Sequence, residues 1–294
     1  MVACGNVRTP RLLNNGSPIG YIDCLFLQAV PNSAVVGLNR VSRKTQRTII
    51  SPDDRRKPLV MIADAHISRN QGNVEAFFEM LAALEGDPCD VVFLGDIFDL
   101  WIALPRYENE VHRTFLSWCQ REKRHRRIGF VEGNHEFFPA QGHAAAFTWC
   151  THLPWWMDAE GNLFCHGDRI NRHDRNYRLF RKFTKNPIAK AFAQGLPRGP
   201  RLVSHLRGRL KQTRRVFHKT LPRDQLQAFA EQRFAEGAAR IFLGHFHQTF
   251  HYQGQHGGEL DTLPDWFSAG WISVLTADRG VLQQGFWQDI LPIV

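Results

Sequence analysis

The apolar positions of this chain fall into short runs, and each run stops at a small or polar residue. Leu59-Val60-Met61-Ile62-Ala63, Val91-Val92-Phe93-Leu94, Ile128-Gly129-Phe130-Val131, Leu163-Phe164-Cys165 and Arg240-Ile241-Phe242-Leu243 are rich in β-branched and aromatic residues and have the length of buried strands. Between them the period changes. Val74, Phe77, Phe78, Leu81 and Leu84 recur at helical spacing, with Gly86 as a stop. Val111, Phe115, Trp118 and Cys119 predict a helix from Glu108 to about His125, a shorter one is expected around Ala144–Thr151, and Leu226, Phe229 and Phe234 predict another over Asp224–Ala238. The tail (Thr249–Gln253, Trp266–Leu275, Val281–Trp287) alternates and contains Gly, which predicts antiparallel strands. Strands alternating with helices define an α/β chain. Residues 1–57 show no sustained period and read as an extension before a domain over 58–294.

The five strand-like runs share one kind of ending. They lead into Asp64-Ala65-His66, Gly95-Asp96, Gly133-Asn134-His135-Glu136, His166-Gly167-Asp168 and Gly244-His245-Phe246-His247. Carboxylate, amide and imidazole groups suit hard or borderline divalent metals. Strand ends at one edge of an open sheet converge, so these groups can share a site. Any one block alone reads as turn chemistry, and His166 alone as a core histidine; five in order, each directly after an apolar run, do not. Seven donors exceed one tetrahedral zinc site and fit two metals sharing a carboxylate, an arrangement common in phosphate-ester hydrolysis. Asp99, Glu136 and Asp168, beside the donors, are expected to orient the histidines and metal-bound water. Trp101 is expected to pack beneath the site, and Trp155-Trp156 in the core or under a lid.

Charge is unevenly divided. Residues 1–57 hold nine Lys/Arg against three acids, and residues 169–223 seventeen against one, Asp174, so the rest of this +9 chain is net negative. One basic segment on an acidic body suggests a cationic site beside an anionic substrate more than a general nucleic-acid binder. That segment interleaves Phe180, Phe183, Ile188, Phe192, Leu196, Leu202 and Leu206 with its arginines and is broken at Pro187, Pro197 and Pro200. An apolar groove, an anionic membrane surface, a phosphate backbone and a merely solvated hairpin all fit this composition. Six cysteines without a CxxC pair favour reduced thiols and a cytoplasmic setting, and no apolar run reaches the ~20 residues of a membrane span.

The five blocks resemble, in order and spacing, the signature of the calcineurin-like metallophosphoesterases over residues 58–250. The resemblance implies a four-layer αββα metallophosphoesterase sandwich with two divalent ions, Mn²⁺ first, with Fe or Zn as alternatives. It implies Asp64, His66 and His247 on one ion, Asn134, His166 and His245 on the other, and Asp96 bridging. Hydroxide held between the cations would attack phosphorus in line, and His135 would stabilise the transition state or protonate the leaving oxygen.

Within that family, Gly95-Asp96-Ile97-Phe98-Asp99-Leu100-Trp101 and Asp174-x-x-Tyr177-x-x-Phe180-Arg181 resemble the branch of UDP-2,3-diacylglucosamine diphosphatases of lipid A biosynthesis. That branch implies a helical lid over 169–223 that cradles acyl chains, and products UMP and diacylglucosamine 1-phosphate. It points to Asp174, Tyr177 and Arg181 as substrate contacts, although Asp174 also reads as a helix cap and Tyr177 with Phe180 as packing. The expected partner is an anionic phosphoester, a nucleotide-linked glycolipid, with peripheral contact to the inner membrane and nucleic acid as the lesser reading. At His135 the chain resembles the wider family, because the branch's best-known form carries Arg there. A general phosphodiesterase, a nuclease, a phosphoprotein phosphatase and a non-catalytic scaffold binding nucleic acid or membrane are the alternatives.

Overall fold

The computed structural model describes residues 56–171, 175–197, 199–200, 203 and 221–291, all within the contact unit Ile50–Val294. The expected extension therefore lies outside the described residues except for Arg56 and Lys57, as do Asp174 and residues 204–220 of the basic segment.

Thirteen strands are present among the described residues: β1 Leu59–Ile62, β2 Asp90–Phe93, β3 Trp101–Ile102, β4 Ile128–Val131, β5 Glu136–Phe137, β6 Trp149–Thr151, β7 Trp156–Met157, β8 Asn162–Cys165, β9 Arg240–Leu243, β10 Phe250–Gln253, β11 Glu259–Thr262, β12 Trp271–Leu275 and β13 Leu282–Phe286. The helices are α1 Val74–Leu84, α2 Glu110–Glu122, α3 Pro139–Gly142, α4 Arg175–Thr184, α5 Pro187–Gly195, α6 Arg223–Ala235, α7 Trp266–Ala269 and α8 Trp287–Ile290. One sheet runs β13-β12-β1-β2-β4-β6 and the other β10-β11-β9-β8-β7, with β3 and β5 forming a separate pair. The central strands of each sheet are parallel; antiparallel strands close both edges of the second sheet and the β13 edge of the first, whose other edge, β6, is parallel to β4.

Strand periodicity sorts the core into layers. From β1, Val60 and Ile62 pack with Phe77, Leu81, Phe115 and Cys119 of α1 and α2. Its other face presents Leu59, Met61 and Ala63 to Phe164 and Phe242 of the second sheet. Beyond that sheet, Leu163, Ile241 and Leu243 meet Leu226 and Ala230 of α6. Helix, sheet, sheet and helix succeed one another, giving the αββα sandwich. Both faces of the central strands are buried, which is why their sequences read as continuous apolar runs rather than alternations.

Two expectations about elements are corrected. The helix expected at Ala144–Thr151 is a single 3₁₀ turn, Ala144–Ala146, followed by β6, because Trp149, Cys150 and Thr151 are claimed by pairing with Gly129, Phe130 and Val131. Trp266–Ala269 is helical rather than extended: Asp265 caps it by accepting from Ser268 N at 2.8 Å, and Gly270 ends it with φ 66°. The tail strands β10, β12 and β13 are antiparallel to their partners as expected, and the tail also holds β11, for which no strand is expected, antiparallel to β10 and parallel to β9.

The two sheets are tied at β6 and β7 by Trp149 stacked on Trp156, with ring centroids 3.9 Å apart. Trp149 lies across Gly129, where an added Cβ would come within 2.1 Å of the indole. Gly129→Ala is therefore expected to cost about 1–3 kcal/mol by overpacking, lowering the melting temperature by several degrees in a thermal melt. An unchanged melting temperature would show that the indole pair does not fix the sheet edge.

Candidate metal centre

The loops leaving β1 and β2 run side by side beyond the strands. Asp64 N donates to Gly95 O at 3.1 Å and His66 N to Asp96 O at 2.9 Å. The β4 loop joins through His135 N to Asp96 Oδ1 at 2.8 Å, and the β9 loop through His245 N to Asp64 Oδ2 at 2.6 Å. Helix α7 docks on the same edge, with Trp266 N and Phe267 N donating to the carbonyls of Ala63 and Asp64. Seven described non-glycine residues have positive φ, and five of them are Asp64, His66, Asp96, His245 and His247. Each such residue costs about 1–2 kcal/mol over an ordinary conformation. The strain turns side chains off the strand direction and into a common space.

Every expected metal donor reaches that space. Asp64, His66 and His247 form one group whose donor atoms lie within 4.8 Å of one another, and Asp96, His166 and His245 form a second. Asn134 Oδ1 is 3.1 Å from His166 Nε2, which puts it in the second group. His66 also belongs to a third group with Asp99 and His135. Asp96 Oδ1 lies 3.5 Å from His166 Nε2 and Oδ2 lies 3.8 Å from His135 Nε2. His66 Nε2 faces His247 Nε2 at 3.4 Å.

The electrostatics call for cations here. His166 Nδ1 meets the carbonyl of Leu94 at 2.8 Å; a carbonyl only accepts, so Nδ1 donates. Nε2 of the neutral ring is then an acceptor facing acceptors. Burial opposes charge on His166, but Asp96 beside it prevails and pushes its pKa up to about 9. His247 is likewise raised to about 10, its burial overcome by the carboxylates of Asp265 and Asp64 beside it, 3.6 and 3.4 Å away. Burial would raise Asp64, yet His247 and His166 hold it at about 2, and Asp96 is held well below the usual carboxylate range by His135 and His166. His66, desolvated by burial, falls to about 4 and stays neutral. Asp64 Oδ1 is buried without a hydrogen-bond partner, a cost a bound cation would remove. The donor set and this orphaned oxygen together fit divalent metal.

Neighbouring groups take roles the sequence partly foretells. Glu136 holds backbone rather than histidine: its Oε2 accepts from Asp96 N and Gly133 N, each at 2.8 Å, and burial with Asp96 nearby pushes its pKa up to about 8. Asp99 meets His135 through its carbonyl, 2.6 Å from Nδ1. Asp168 is ion-paired with Arg181 at 2.7 Å, so this guanidinium is engaged at the loop carrying His166. Tyr177 lies within α4, and nothing is described of its side chain. Trp101 is fully buried beneath the site, edge-on to Phe98 at 5.3 Å, and Trp155 carries Arg233 over its ring at 4.3 Å.

Two contributors escape the sequence reading. Asp265 Oδ2 lies 3.6 Å from His247 Nδ1, the carboxylate behind a metal-type histidine. Its signal is present, since Leu263-Pro264-Asp265 repeats the pattern of an apolar run ending in an acid, but β11 before it is too polar to stand out. Lys185, just beyond α4, donates to Gly133 O and lies over the Phe137 ring at 5.1 Å. Burial and Arg181 push its pKa down to about 8. No spacing rule announces it among the cations of the basic segment.

Donors of this kind at the head of a two-sheet sandwich belong to metal-dependent phosphoric ester hydrolases. The sequence model of the calcineurin-like phosphoesterases matches residues 57–249, and the chain belongs to that family. A UDP-2,3-diacylglucosamine hydrolase of Shewanella loihica is 27% identical over 236 residues, covering 76% of this chain and 95% of its own. Another of the same name, from Neisseria meningitidis serogroup B, is 28% identical over 234 residues, covering 76% of this chain and 95% of its own. A dimetal phosphatase structure from Danio rerio covers 80% of this chain and 100% of its own at 13% identity, with a TM-score of 0.36. Family membership rests on the sequence match and not on that superposition.

Protonation and metal binding should compete here. Stability from His166 and His247, raised from 6.5, is complete below pH 6.5 and is lost as pH rises through about 9 and about 10. Stability from Asp64, lowered from 3.8, is present above pH 3.8 and is lost as pH falls through about 2. The metal-free protein should melt at progressively lower temperature from pH 7 to 10. Adding Mn²⁺ at pH 7.5 should release protons, because imidazole ligates only when neutral. Titration calorimetry in buffers of different ionisation enthalpy reads that release, and a heat independent of buffer would contradict it.

Proposed function

We propose that the chain hydrolyses UDP-2,3-diacylglucosamine at a two-metal centre, giving UMP and diacylglucosamine 1-phosphate for lipid A synthesis. The observation that carries the chemistry is the closed group of donors around Asp96. In this reading Asp64, His66 and His247 would hold one divalent ion and Asn134, His166 and His245 the other, with Asp96 serving both. Such a pair lowers the pKa of water and neutralises phosphoryl charge. Mn²⁺ suits the mixed oxygen and imidazole set.

The chain's own groups do the rest. Asp99 O accepts from His135 Nδ1 and fixes the ring, so Nε2 faces the departing oxygen and gives it a proton from the imidazolium form, in which both ring nitrogens are protonated, returning to the neutral ring. Glu136 fixes the amides of Asp96 and Gly133 and so aims the shared carboxylate and the Asn134 loop. Gly133 admits no side chain there, since an added Cβ would lie 2.3 Å from Asp96 Oδ1.

Support for a lipid-linked substrate comes from the relatives' substrate and from α4 and α5. Leu179, Phe180, Phe183, Ile188 and Phe192 are exposed on these helices, beside Arg181 and Lys185, which reach the β8 and β4 loops. Apolar and cationic side chains together suit acyl chains next to phosphate, and peripheral contact with an anionic membrane through the same helices belongs to this reading. Asp174, Tyr177 and Arg181 remain the proposed substrate-side residues, Arg181 acting through the Asp168 loop it holds. No helix among the described residues is long and apolar enough to cross a membrane.

Purified protein with Mn²⁺ should cleave UDP-2,3-diacylglucosamine at least about tenfold more efficiently than the same nucleotide sugar without acyl chains. Activity on a generic aryl phosphodiester should be weaker, and single-stranded RNA should be spared. Asp96→Asn should abolish turnover, and His135→Ala should lower kcat by about 10²–10⁴-fold while Mn²⁺ binding persists. Equal rates with and without acyl chains would remove the lipid substrate in favour of a general phosphodiesterase. Full activity in both variants would remove the mechanism.

A further inference from the structure

Beside His247, on the flank away from the contacts of α4, the loop after β9 and the stretch from Pro264 to Trp271 line an open cavity of about 460 Å³. His247, Gln248, Thr249, Asp265, Ser268 and Trp271 line it. That volume falls within the range of small-ligand sites. Trp271 is 38% exposed and Phe267, which stands edge-on to His66 at 5.9 Å, is 41% exposed. Two large aromatic rings left in water at the rim of a metal-type cluster are costly unless something covers them.

The lining selects what that occupant is. It contains no Lys or Arg, and its one carboxylate, Asp265, accepts from Ser268 N at 2.8 Å and faces His247 at 3.6 Å. A phosphate group finds no Lys or Arg there and faces the Asp265 carboxylate, whereas the donor cluster around Asp96 offers it metal-type positive charge, so the cavity favours a neutral group. A saturated acyl chain would leave Gln248, Thr249, Ser268 and Asp265 facing hydrocarbon. A planar, neutral ring with its own N–H and carbonyl edges satisfies both halves of the wall, stacking on the indole and hydrogen-bonding to the amide and hydroxyls.

We propose that this cavity is the nucleoside subsite, in which the pyrimidine base of the substrate stacks on Trp271 while its phosphate lies at the donors around Asp96. The inference rests on the reading of the substrate as a nucleotide-linked diphosphate. The substrate's two ends are then sorted to opposite flanks, the base toward His247 and the acylated sugar toward α4 and α5, whose cations hold the loops of Asn134 and His166. Trp271 sets which leaving nucleotide is accepted and takes no part in the bond-breaking step.

Calorimetric titration of the Mn²⁺-loaded full-length protein with UMP and with methyl phosphate tests this. The two probes share a phosphomonoester and differ in the nucleoside. Wild type should bind UMP at least about tenfold tighter than methyl phosphate, the scale of one base–aromatic stack. Trp271→Ala should erase most of that advantage and leave methyl phosphate affinity within about twofold, and Trp271→Phe should restore most of it. A thermal melt of each variant reports whether it is folded. Equal binding of the two probes by wild type would overturn the proposal, as would a Trp271→Ala that weakens both alike. So would a loss confined to 2,3-diacylglucosamine 1-phosphate, which would put the acylated sugar in the cavity. A UMP advantage that depends on Trp271, found in a protein that does not turn over UDP-2,3-diacylglucosamine, sustains the subsite and removes the proposed substrate.

Discussion

Around Asp96 the chain gathers more acceptor atoms than protons to satisfy them. Carboxylate oxygens, an amide oxygen and ring nitrogens of four imidazoles face one another at the head of two sheets, largely shielded from water. Inside a protein such an arrangement is repulsive unless positive charge enters it. Protons can supply that charge, as the raised pKa values of His166 and His247 indicate, and divalent ions supply it better. Everything else near the site either builds this concentration of lone pairs or withstands it.

The backbone bears part of the cost. Left-handed conformations at five of the donors are tolerated because the surrounding hydrogen bonds over-determine them: the β1 and β2 loops are zipped together, and Asp64 and Asp96 each accept an amide from another loop. Beneath lies a rigid floor of Phe77, Phe93, Phe98, Trp101, Phe115 and Phe130, packed largely edge to face. From the other side, Arg181 and Lys185 fasten the end of α4 to the loops that carry His166 and Asn134. Movement of that helix is thereby coupled to the loops that carry the donors of that group. The other group is backed by Asp265 and by α7, so the two halves of the site have different supports.

Most of this is legible in the sequence where one local rule governs the outcome. The five apolar runs and their polar terminators name the seven side chains that the fold gathers around Asp96, because a buried strand and its end are encoded within a few consecutive residues. Legibility fails where a distant partner decides. Trp149–Thr151 looks helical after an alanine run and becomes a strand because β4 is there to pair with it. Trp266–Ala269 alternates like a strand and becomes a helix through the Asp265 cap and Gly270. Glu259–Thr262 is too short and too polar to register, and with it goes Asp265. Lys185 cannot be singled out because its meaning lies in Gly133, fifty-two residues earlier.

The most direct measurement of the central claim is anomalous scattering from crystals grown with Mn²⁺, collected at the manganese edge. The account predicts two peaks per chain, about 3.5–4 Å apart, with the Asp96 carboxylate between them and His66 and His166 on opposite ions. A single peak, two peaks in unrelated places, or none at saturating Mn²⁺ would contradict it.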